Sequence, residues 1–217
     1  MKSGPSALLL FFVTTALCLV CYEFLDRPAA LFFATVNNST KSVFGFITLL
    51  GLSWPYLAAA SAAFVYFRFI NKNEAVANVC LFLFTAVILS GLANDLIKVL
   101  AGRSRPCLLI SSGIYKFEPF AHHYDYASFP SGHANTIAAL CYGLSVATGR
   151  FKYLWLILAL AVMASRVVLT AHFISDLIFG AYLGVVVTEL VAVGFERSGK
   201  LRCGEAGSKE QGLENRE

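Results

Sequence analysis

Apolar residues are concentrated in six long runs, and short polar segments separate the runs. Each run approaches the roughly 20 residues that a helix needs to cross the hydrocarbon core of a bilayer. Breaks at Gly51 and Pro55 divide the second apolar region, so we expect a short interfacial helix near Val43–Leu50 ahead of the second span. The predicted spans cover about residues 6–22, 54–69, 76–96, 134–148, 153–170 and 177–195.

The chain as a whole is too apolar for a water-soluble domain. Hydrophobic residues make up 58% of the 217 residues and charged residues only 14%, against roughly 25% charged residues in soluble proteins. We therefore expect an all-α fold, a polytopic membrane bundle of six transmembrane helices with short interfacial helices, in one domain over residues 1–197. Residues 198–217 are polar and are expected to form a disordered cytoplasmic tail.

The first apolar run could also be a secretory signal peptide, because Lys2 precedes it. It lacks a convincing small-residue cleavage site, and we expect it to be retained as a span. Cys18 and Cys21 lie within this run, where they are expected to act as small apolar residues. The six cysteines therefore predict neither a disulfide framework nor a zinc site.

The distribution of Lys and Arg predicts the orientation in the membrane. With six spans, both termini lie on one side, together with ten of the 17 Lys and Arg residues. Because positive charges are enriched in cytoplasmic loops, we expect cytoplasmic termini and an outward-facing loop from Lys98 to His133. The small size and short loops favour a bacterial inner (cytoplasmic) membrane. The net charge of +4 is modest, and the chain has no basic tract with interleaved aromatic residues that would indicate a nucleic-acid partner.

Polar residues gather in three clusters at the ends of the predicted spans. The clusters are Lys98–Pro106 after the third span, Pro130–His133 before the fourth, and Ser165–Asp176 between the fifth and sixth. The six-span arrangement places all three at the same membrane face. Charged residues at such a boundary are costly and usually functional, so the clusters predict one shared site.

The three clusters have the chemistry of a phosphate-binding site. Lys98, Arg105 and Arg166 supply three positive charges, and arginine binds phosphate oxygens in bidentate fashion. Ser131 and Gly132 open a helix, where free N–H groups point toward an anion and the serine hydroxyl can add a hydrogen bond. Such cations can stabilise the charge of a phosphate by themselves, so we expect no metal and no cofactor.

Two histidines can carry out chemistry on a bound phosphate. His172 and Asp176 are four residues apart, and a carboxylate bonded to one ring nitrogen would make the other nitrogen more nucleophilic. His172 is therefore the candidate nucleophile, with Asp176 as its partner. His133, on a separate span, could protonate the leaving group as a general acid and later activate water as a base.

Together, the three clusters resemble the signature of the type 2 phosphatidic acid phosphatase family. The patterns are Lys-x6-Arg-Pro from Lys98, Pro-Ser-Gly-His from Pro130, and Ser-Arg-x5-His-x3-Asp from Ser165. Each is matched without a departure, in the family's order, and the resemblance covers residues 98–176. It implies a helical-bundle core, a histidine nucleophile with a carboxylate partner, a histidine acid and a set of phosphate ligands, at the residues named above.

We therefore expect a membrane lipid phosphatase that hydrolyses a phosphomonoester or pyrophosphate at the outer membrane–water interface through a phosphohistidine. The short loops leave no soluble domain to collect a water-borne substrate. Substrates that the family offers are undecaprenyl pyrophosphate, phosphatidylglycerophosphate, lipid A phosphates and phosphatidate. Vanadate-dependent haloperoxidases share the signature, which implies inhibition by vanadate. Two alternatives remain: a phosphotransferase that passes the phosphate to a lipid or sugar, and a non-catalytic transporter.

Other polar residues near the clusters are expected to have structural roles. Asp95 lies three residues before the lysine of the first cluster and is expected to pair with it. Arg103 is left out of the catalytic set, as a contributor to orientation only. Glu189 is expected to face the bundle or the cytoplasmic boundary. The aromatic outer loop predicts an interfacial belt, with a lipid-guiding lid as the alternative, and its His122 and His123 are expected to be solvated.

Overall fold

The computed structural model describes residues 5–121 and 123–201, with side chains from residue 8. The regular secondary structure within these ranges is helical. No strand forms within these ranges, where an isolated bridge joins Arg103 to Phe117. The α-helices of these ranges are α1 (Pro5–Val20), α2 (Asp26–Ala34), α3 (Asn38–Ile47), α4 (Ser53–Val65), α5 (Glu74–Ala101), α6 (Pro106–Ser112), α7 (Gly132–Thr148), α8 (Lys152–Val168) and α9 (Ile174–Arg197).

Several helices have the length and composition of membrane spans. In the described ranges, α7 and α8 have 17 residues each. Helix α7 is largely buried, whereas α8 packs one face on α7 and exposes apolar side chains such as Ile157 on the other. Large apolar side chains such as Phe46 and Leu190 are more than half exposed, as suits a lipid-facing surface. The prediction of an all-helical membrane bundle is thus confirmed. The four longer apolar segments that could cross a bilayer are Leu8–Ala34, Asn38–Ile70, Glu74–Ala101 and Ile174–Arg197.

The first helical segment is longer than the predicted span of about residues 6–22. After α1, a π-helical turn at Cys21–Leu25 leads into α2, so the helix continues to Ala34. The sequence indicated an earlier end because the charged residues Glu23, Asp26 and Arg27 follow the apolar run. In the structure Asp26 is buried against Arg103 and therefore does not need contact with water.

The second apolar region is divided as predicted. Helix α3 runs into a 3₁₀ turn at Thr48–Gly51, Leu52 is extended, and α4 follows. The short helix begins earlier than the predicted Val43–Leu50. The reason is the Asn37 side chain, which accepts a hydrogen bond from the first turn and so caps the helix there.

Helix α7 lies at the centre of the bundle. It packs most extensively against α9 and also contacts α5 and α8. Its buried face carries Ile137 and Cys141, which pack with Ala159 and Val162 of α8. Helix α1 packs against α9, and α4 packs against α5. These contacts hold the ends of α5, α7, α8 and α9 close together.

The beginning of α7 approaches α9 closely because glycine lies at the contact. A Cβ atom on Gly180 would lie 2.6 Å from the backbone oxygen of Ser131 and 3.4 Å from the Cβ of Ala134. Glycine permits this approach because it has no side chain. Gly180 therefore determines how near the first turn of α7 can lie to α9.

The chain remains folded just beyond α9. Gly199 has a φ angle of 71°, and the Leu201 N–H donates a hydrogen bond to the Phe195 carbonyl. Leu201 is buried with Phe82 of α5. The folded part therefore extends past the predicted start of the tail, because one apolar side chain returns to the bundle. The rest of the predicted tail, residues 202–217, lies outside the described residues.

The Gly180→Ala substitution is expected to destabilise the bundle, because the added methyl group would push α7 away from α9. Overpacking of this kind costs about 1–3 kcal/mol. Thermal unfolding of the purified protein in detergent measures the change. Gly194→Ala, in the same helix with no atom within 4 Å of the added methyl group, is the matched control and should be neutral or slightly stabilising. Equal midpoints for the two variants would contradict the close approach.

Candidate active site

The three polar clusters of the sequence meet at one end of the bundle, where α5 and α8 end and α7 and α9 begin. Direct hydrogen bonds connect them. The Ser131 N–H donates to the Asp176 carbonyl over 3.0 Å. The Arg105 guanidinium donates to the Ala171 carbonyl over 3.1 Å. The structure therefore brings segments from all three clusters into one site.

His172 is buried, and a backbone carbonyl holds its ring. The distance from Nδ1 to the Ser128 carbonyl oxygen is 2.8 Å. A carbonyl oxygen can only accept, so the neutral ring carries its proton on Nδ1 and leaves the Nε2 lone pair free. The sequence predicted Asp176 in this role, but its Oδ2 lies 3.7 Å from Nδ1, outside hydrogen-bond range. Asp176 instead accepts a hydrogen bond from the Ser128 hydroxyl over 2.6 Å.

The environment of His172 keeps its ring neutral. Burial lowers the pKa of His172 to about 4, and Asp176 opposes this shift without cancelling it. The positive charges of Arg105 and Arg166 lower the pKa further. A histidine with the ordinary pKa of about 6.5 would be partly protonated near pH 7. Here the ring is in the form that has a nucleophilic nitrogen.

Asp176 is completely buried at the beginning of α9. It is the third residue of the helix and accepts a hydrogen bond from the N–H of Phe173, the residue before the helix, over 2.9 Å. Its other donors are the Ser128 hydroxyl and the Arg103 guanidinium. Three donors, one of them charged, compensate the buried carboxylate and fix its orientation.

Arg103 carries the central buried charge of the site, although its sequence position indicated a role in orientation only. Its side chain is 1% exposed and donates to Asp176 from Nη1 and to Asp26 from Nη2, the latter over 2.8 Å. Burial alone would lower the pKa of Arg103, but the two carboxylates raise it, so the charge is retained. Four aromatic rings surround the guanidinium: Tyr22, Tyr115, Phe117 and Phe173.

Asp26 is a second buried residue of the site that the sequence did not indicate, because it lies just beyond the predicted first span of about residues 6–22. Besides Arg103, its carboxylate accepts hydrogen bonds from the Ser175 N–H over 3.0 Å and from the Ser175 hydroxyl. That N–H is one of the unpaired groups at the start of α9, so Asp26 caps this helix from another segment. The charge of Asp26 could have indicated its role, because an acidic residue among apolar residues needs a cation beside it when it is buried.

Arg105 is held rigidly and keeps two donors free. Its guanidinium donates to the carbonyls of Tyr124 over 3.0 Å and of Ala127 and Ala171 over 3.1 Å each. It also lies 4.0 Å from the centre of the Tyr124 ring. Arginine has five N–H donors, so two remain for an anion.

Arg166 and Lys98 complete the positive side of the site. Arg166 donates from Nη1 to the Thr48 hydroxyl over 2.7 Å, while its buried Nε has no hydrogen-bond partner in the described ranges. A buried donor without a partner is unfavourable, and a bound anion would satisfy it. Lys98 lies 3.5 Å from Asp95, which confirms the predicted pair. Asp95 is exposed, so it neutralises the lysine only in part.

The beginning of α7 faces these cations. Ser131 is the buried residue before the helix, and its hydroxyl accepts a hydrogen bond from the first turn. The N–H groups of Gly132 and His133 are among the first four of the helix and have no acceptor within it. A Cβ on Gly132 would lie 3.8 Å from both Lys98 Nζ and Asn94 Nδ2, so glycine leaves space at the helix end. This space has the charge and the donors of an anion site.

His133 reaches the same space from the first turn of α7. Its ring lies within electrostatic range of His172 and of all three cations. Gly51, in the 3₁₀ turn before α4, packs directly on this ring, and a Cβ there would lie 2.6 Å from the His133 Cδ2. The position of the ring therefore depends on a glycine from a distant segment of the chain.

The remaining polar residues of the prediction lie away from the anion site. His123 is exposed, 3.4 Å from Asp125, and His122 lies outside the described residues. Glu189 faces the bundle, where it accepts a hydrogen bond from Tyr142 over 2.6 Å, and this confirms one of its two predicted locations. Among the described residues, no group of three or more His, Cys, Asp and Glu side chains could hold a metal ion.

Comparison with known proteins finds a matching family and several relatives. Residues 78–200 match the profile of the PAP2 superfamily. A lipid A 1-phosphatase of Rhizobium etli is 35% identical over 120 residues, which cover 55% of this chain and 52% of that protein. A lipid A 4'-phosphatase of Porphyromonas gingivalis is 28% identical over 164 residues, which cover 73% of this chain and 69% of that protein. The chain thus spans about half the length of the rhizobial relative.

Two solved structures share the fold. A PAP2-type phosphatidylglycerolphosphate phosphatase from Bacillus subtilis superimposes with a TM-score of 0.57 at 21% identity, covering 91% of this chain and 98% of that one. Aquifex aeolicus LpxE superimposes with a TM-score of 0.53 at 18% identity, covering 77% of this chain and 94% of that one. At these identities the likeness establishes the arrangement of helices.

The Asp26→Asn substitution keeps the shape of the side chain and removes one charge from the buried network. We expect the free energy of unfolding to fall by about 3–5 kcal/mol, as is typical when one partner of a buried ion pair is lost. Denaturation of the purified protein in detergent measures this change.

The matched control is Glu74→Gln, which breaks the Arg68–Glu74 pair. That pair is also short, at 2.6 Å, but its side chains are 48% and 72% exposed. Its loss should cost less than about 1 kcal/mol. A change for Asp26→Asn no larger than that of the control would show that the buried network does not stabilise the fold.

Proposed function

The chain belongs to the PAP2 superfamily, and on this basis we propose that it is an integral membrane phosphatase acting on a phosphate ester or pyrophosphate carried by a lipid. One observation carries the proposal: the buried, neutral His172 ring has its Nε2 free, beside the charges of Arg105 and Arg166. The relatives by sequence are named as lipid A phosphatases. Lipid A phosphates are therefore candidate substrates, with phosphatidylglycerophosphate, undecaprenyl pyrophosphate and phosphatidate as the other members of the class.

A phosphate group in the space at the start of α7 would meet donors and positive charges from several directions. The two free N–H donors of Arg105 and the unpaired Nε of Arg166 supply charged hydrogen bonds. Lys98 adds a third charge beside Gly132. These groups are held before the substrate arrives, so they can stabilise the negative charge of the transition state with little rearrangement. No role is assigned to a metal ion.

In the first chemical step, Nε2 of His172 attacks phosphorus, and the bond from phosphorus to the leaving oxygen breaks. The bound phosphate places negative charge beside His133 and so favours its protonated form, which gives its proton to that oxygen. His172 then carries the phosphoryl group on Nε2 and a proton on Nδ1. The positive ring is stabilised by the Ser128 carbonyl at 2.8 Å and by the Asp176 carboxylate at 3.7 Å.

In the second step, His133, now neutral, takes a proton from a water molecule. The water oxygen attacks phosphorus as the bond from Nε2 to phosphorus breaks. His172 returns to its neutral form, and inorganic phosphate leaves. One proton moves to His133 from water and one moves from His133 to the leaving oxygen, so the site is restored after each cycle.

Six spans with the site on the outer side suit this chemistry. They comprise the α1–α2 segment, α4, α5, α7, α8 and α9. The 17 residues of α7 and of α8 extend about 26 Å, close to the roughly 30 Å of the hydrocarbon core. The bias of Lys and Arg toward the termini favours a cytoplasmic location for them, in a bacterial inner membrane with the site facing the periplasm or exterior. A lipid substrate would then reach the site by diffusion within the bilayer.

The His172→Ala substitution is expected to abolish phosphate release, with kcat reduced on the order of 10⁴-fold or more, because the nucleophile is lost. Release of inorganic phosphate is measured in mixed micelles, without added metal, from lipid A, phosphatidylglycerophosphate, undecaprenyl pyrophosphate and phosphatidate. His123→Ala, which removes an exposed histidine, is the matched control and should retain activity. Vanadate should inhibit the wild-type protein. Full activity of His172→Ala would exclude the proposed nucleophile, and phosphate found only on an added acceptor would indicate a phosphotransferase.

The Gly51→Ala substitution is expected to reduce kcat by about 100-fold, because the added methyl group displaces the His133 ring from the leaving oxygen. Gly45→Ala is the matched control in the preceding helix, since no atom lies within 4 Å of its added methyl group. The same phosphate-release assay measures both variants, and their thermal unfolding is compared. Equal activity of the two variants would mean that the position of His133 does not limit the reaction.

A further inference from the structure

A cavity of about 310 Å³ adjoins the anion site on the side of His133. It lies between α5, the beginning of α7 and the turn that leads into α4. Its wall includes His133 and Gly132 together with Asn94, Asp95 and Asn135. In the proposed chemistry, His133 protonates the leaving oxygen, so the leaving group must lie beside this ring. The cavity is the space that adjoins the ring there.

Two buried amide oxygens belong to residues in the wall of this cavity. Asn94 Oδ1 and Asn135 Oδ1 have no hydrogen-bond partner among the described residues, and both residues are 1% exposed. Buried acceptors are almost always paired in proteins, and an unpaired acceptor is unfavourable until a ligand or water satisfies it. The carboxylate of Asp95 is a third acceptor in the wall. The cavity therefore suits a group that carries hydrogen-bond donors.

The hydrogen bond of Asn135 indicates which end of its amide is free. Asn135 Nδ2 donates to the Ser90 hydroxyl over 3.2 Å, and Ser90 donates its one proton to the Val87 carbonyl. Ser90 thus has no proton left for the amide, so the oxygen of Asn135 is the free end. Asn94 Nδ2 lies on the side of Gly132, near the anion site, and its oxygen is the unpaired end.

Farther from His133, the space between the helices becomes apolar. A second cavity of about 240 Å³ shares Leu57 and Val87 with the first and continues between α4 and α5. Its wall is formed mainly by small or apolar side chains, among them Ala59, Ala60, Ala63, Cys80 and Leu83. From Asp95 to Cys80 the two cavities follow α5 for about 22 Å. The combined space suits a molecule with donors at one end and an acyl chain at the other.

We propose that these cavities bind the leaving group of the substrate and that Asn94 and Asn135 select lipids with an O–H or N–H donor next to the phosphate ester; this rests on the proposed phosphatase function. Phosphorylated sugar lipids with N-acyl groups or free hydroxyls belong to this class. Diacylglycerol has no such donor, and a prenyl phosphate would place a second negative charge near Asp95. Sites with buried hydrogen-bonding groups discriminate strongly against analogues that lack the matching partner.

The test compares two substrates that differ in one donor. One is an acylated N-acylglucosamine 1-phosphate, and the other is its N-methyl counterpart, which lacks the amide N–H. Phosphatidate with the same acyl chains serves as a donor-free reference. For the wild-type protein, kcat/KM in mixed micelles should be at least about 10-fold higher for the substrate with the N–H, because its loss leaves a buried acceptor unpaired.

The Asn135→Leu and Asn94→Leu variants should bring this ratio of kcat/KM values toward one. Asn71→Leu, at an exposed asparagine beyond α4, is the matched control and should preserve the wild-type ratio. Equal kcat/KM values of the wild-type protein for the two sugar substrates would overturn the proposal, and this comparison does not require any variant to fold. A ratio unchanged in both asparagine variants would overturn the role of the amides. Failure of the wild-type protein to release phosphate from any lipid would instead refute the phosphatase function itself.

Discussion

The architecture of the site depends on one buried arrangement of charges, the Arg103 guanidinium between the carboxylates of Asp26 and Asp176. A single buried charge would be very unfavourable in an apolar bundle, and each of these three is tolerated only because the others are present. The planar guanidinium can donate to two carboxylates at once, so it joins the first helical segment to the beginning of α9. Because Asp26 also caps α9 through Ser175, the same contact fixes the helix that carries Asp176.

These three groups carry one negative charge in excess. Their Asp176 carboxylate lies 3.7 Å from Nδ1 of His172. The cations Lys98, Arg105 and Arg166 lie around the anion site near the other histidine, His133. The His172 ring is buried and neutral, and the Ser128 carbonyl determines its tautomer. Two groups of opposite charge are therefore held apart at one end of the bundle. In the proposed reaction, a negatively charged phosphate would be attracted to the cations, and the carboxylates would stabilise the positive ring formed after attack.

The membrane setting and the chemistry are linked through the helix ends. The N–H groups at the start of α7 are available to an anion because the helix has no carbonyl four residues before them. Gly180 lets this end lie directly against α9. On the opposite side of His133, the cavities between α4 and α5 begin with polar groups and continue with apolar ones. A lipid that places its phosphate at the helix end can therefore direct its remaining part toward the interior of the bilayer.

The sequence by itself was sufficient for the membrane class and the approximate helices, and it singled out the polar residues Lys98, Arg105, His133, Arg166, His172 and Asp176 as candidates for one site. These are polar residues at the ends of apolar runs, and within each of the three clusters their spacing is local, so a linear pattern can reveal them. The roles of Arg103, Asp26, Gly51 and the two asparagines were decided only by the tertiary structure. Asp26 meets its partners across 77 and 149 residues of chain. A contact between such distant segments leaves no periodic signal, because it arises only when the helices pack and exclude water.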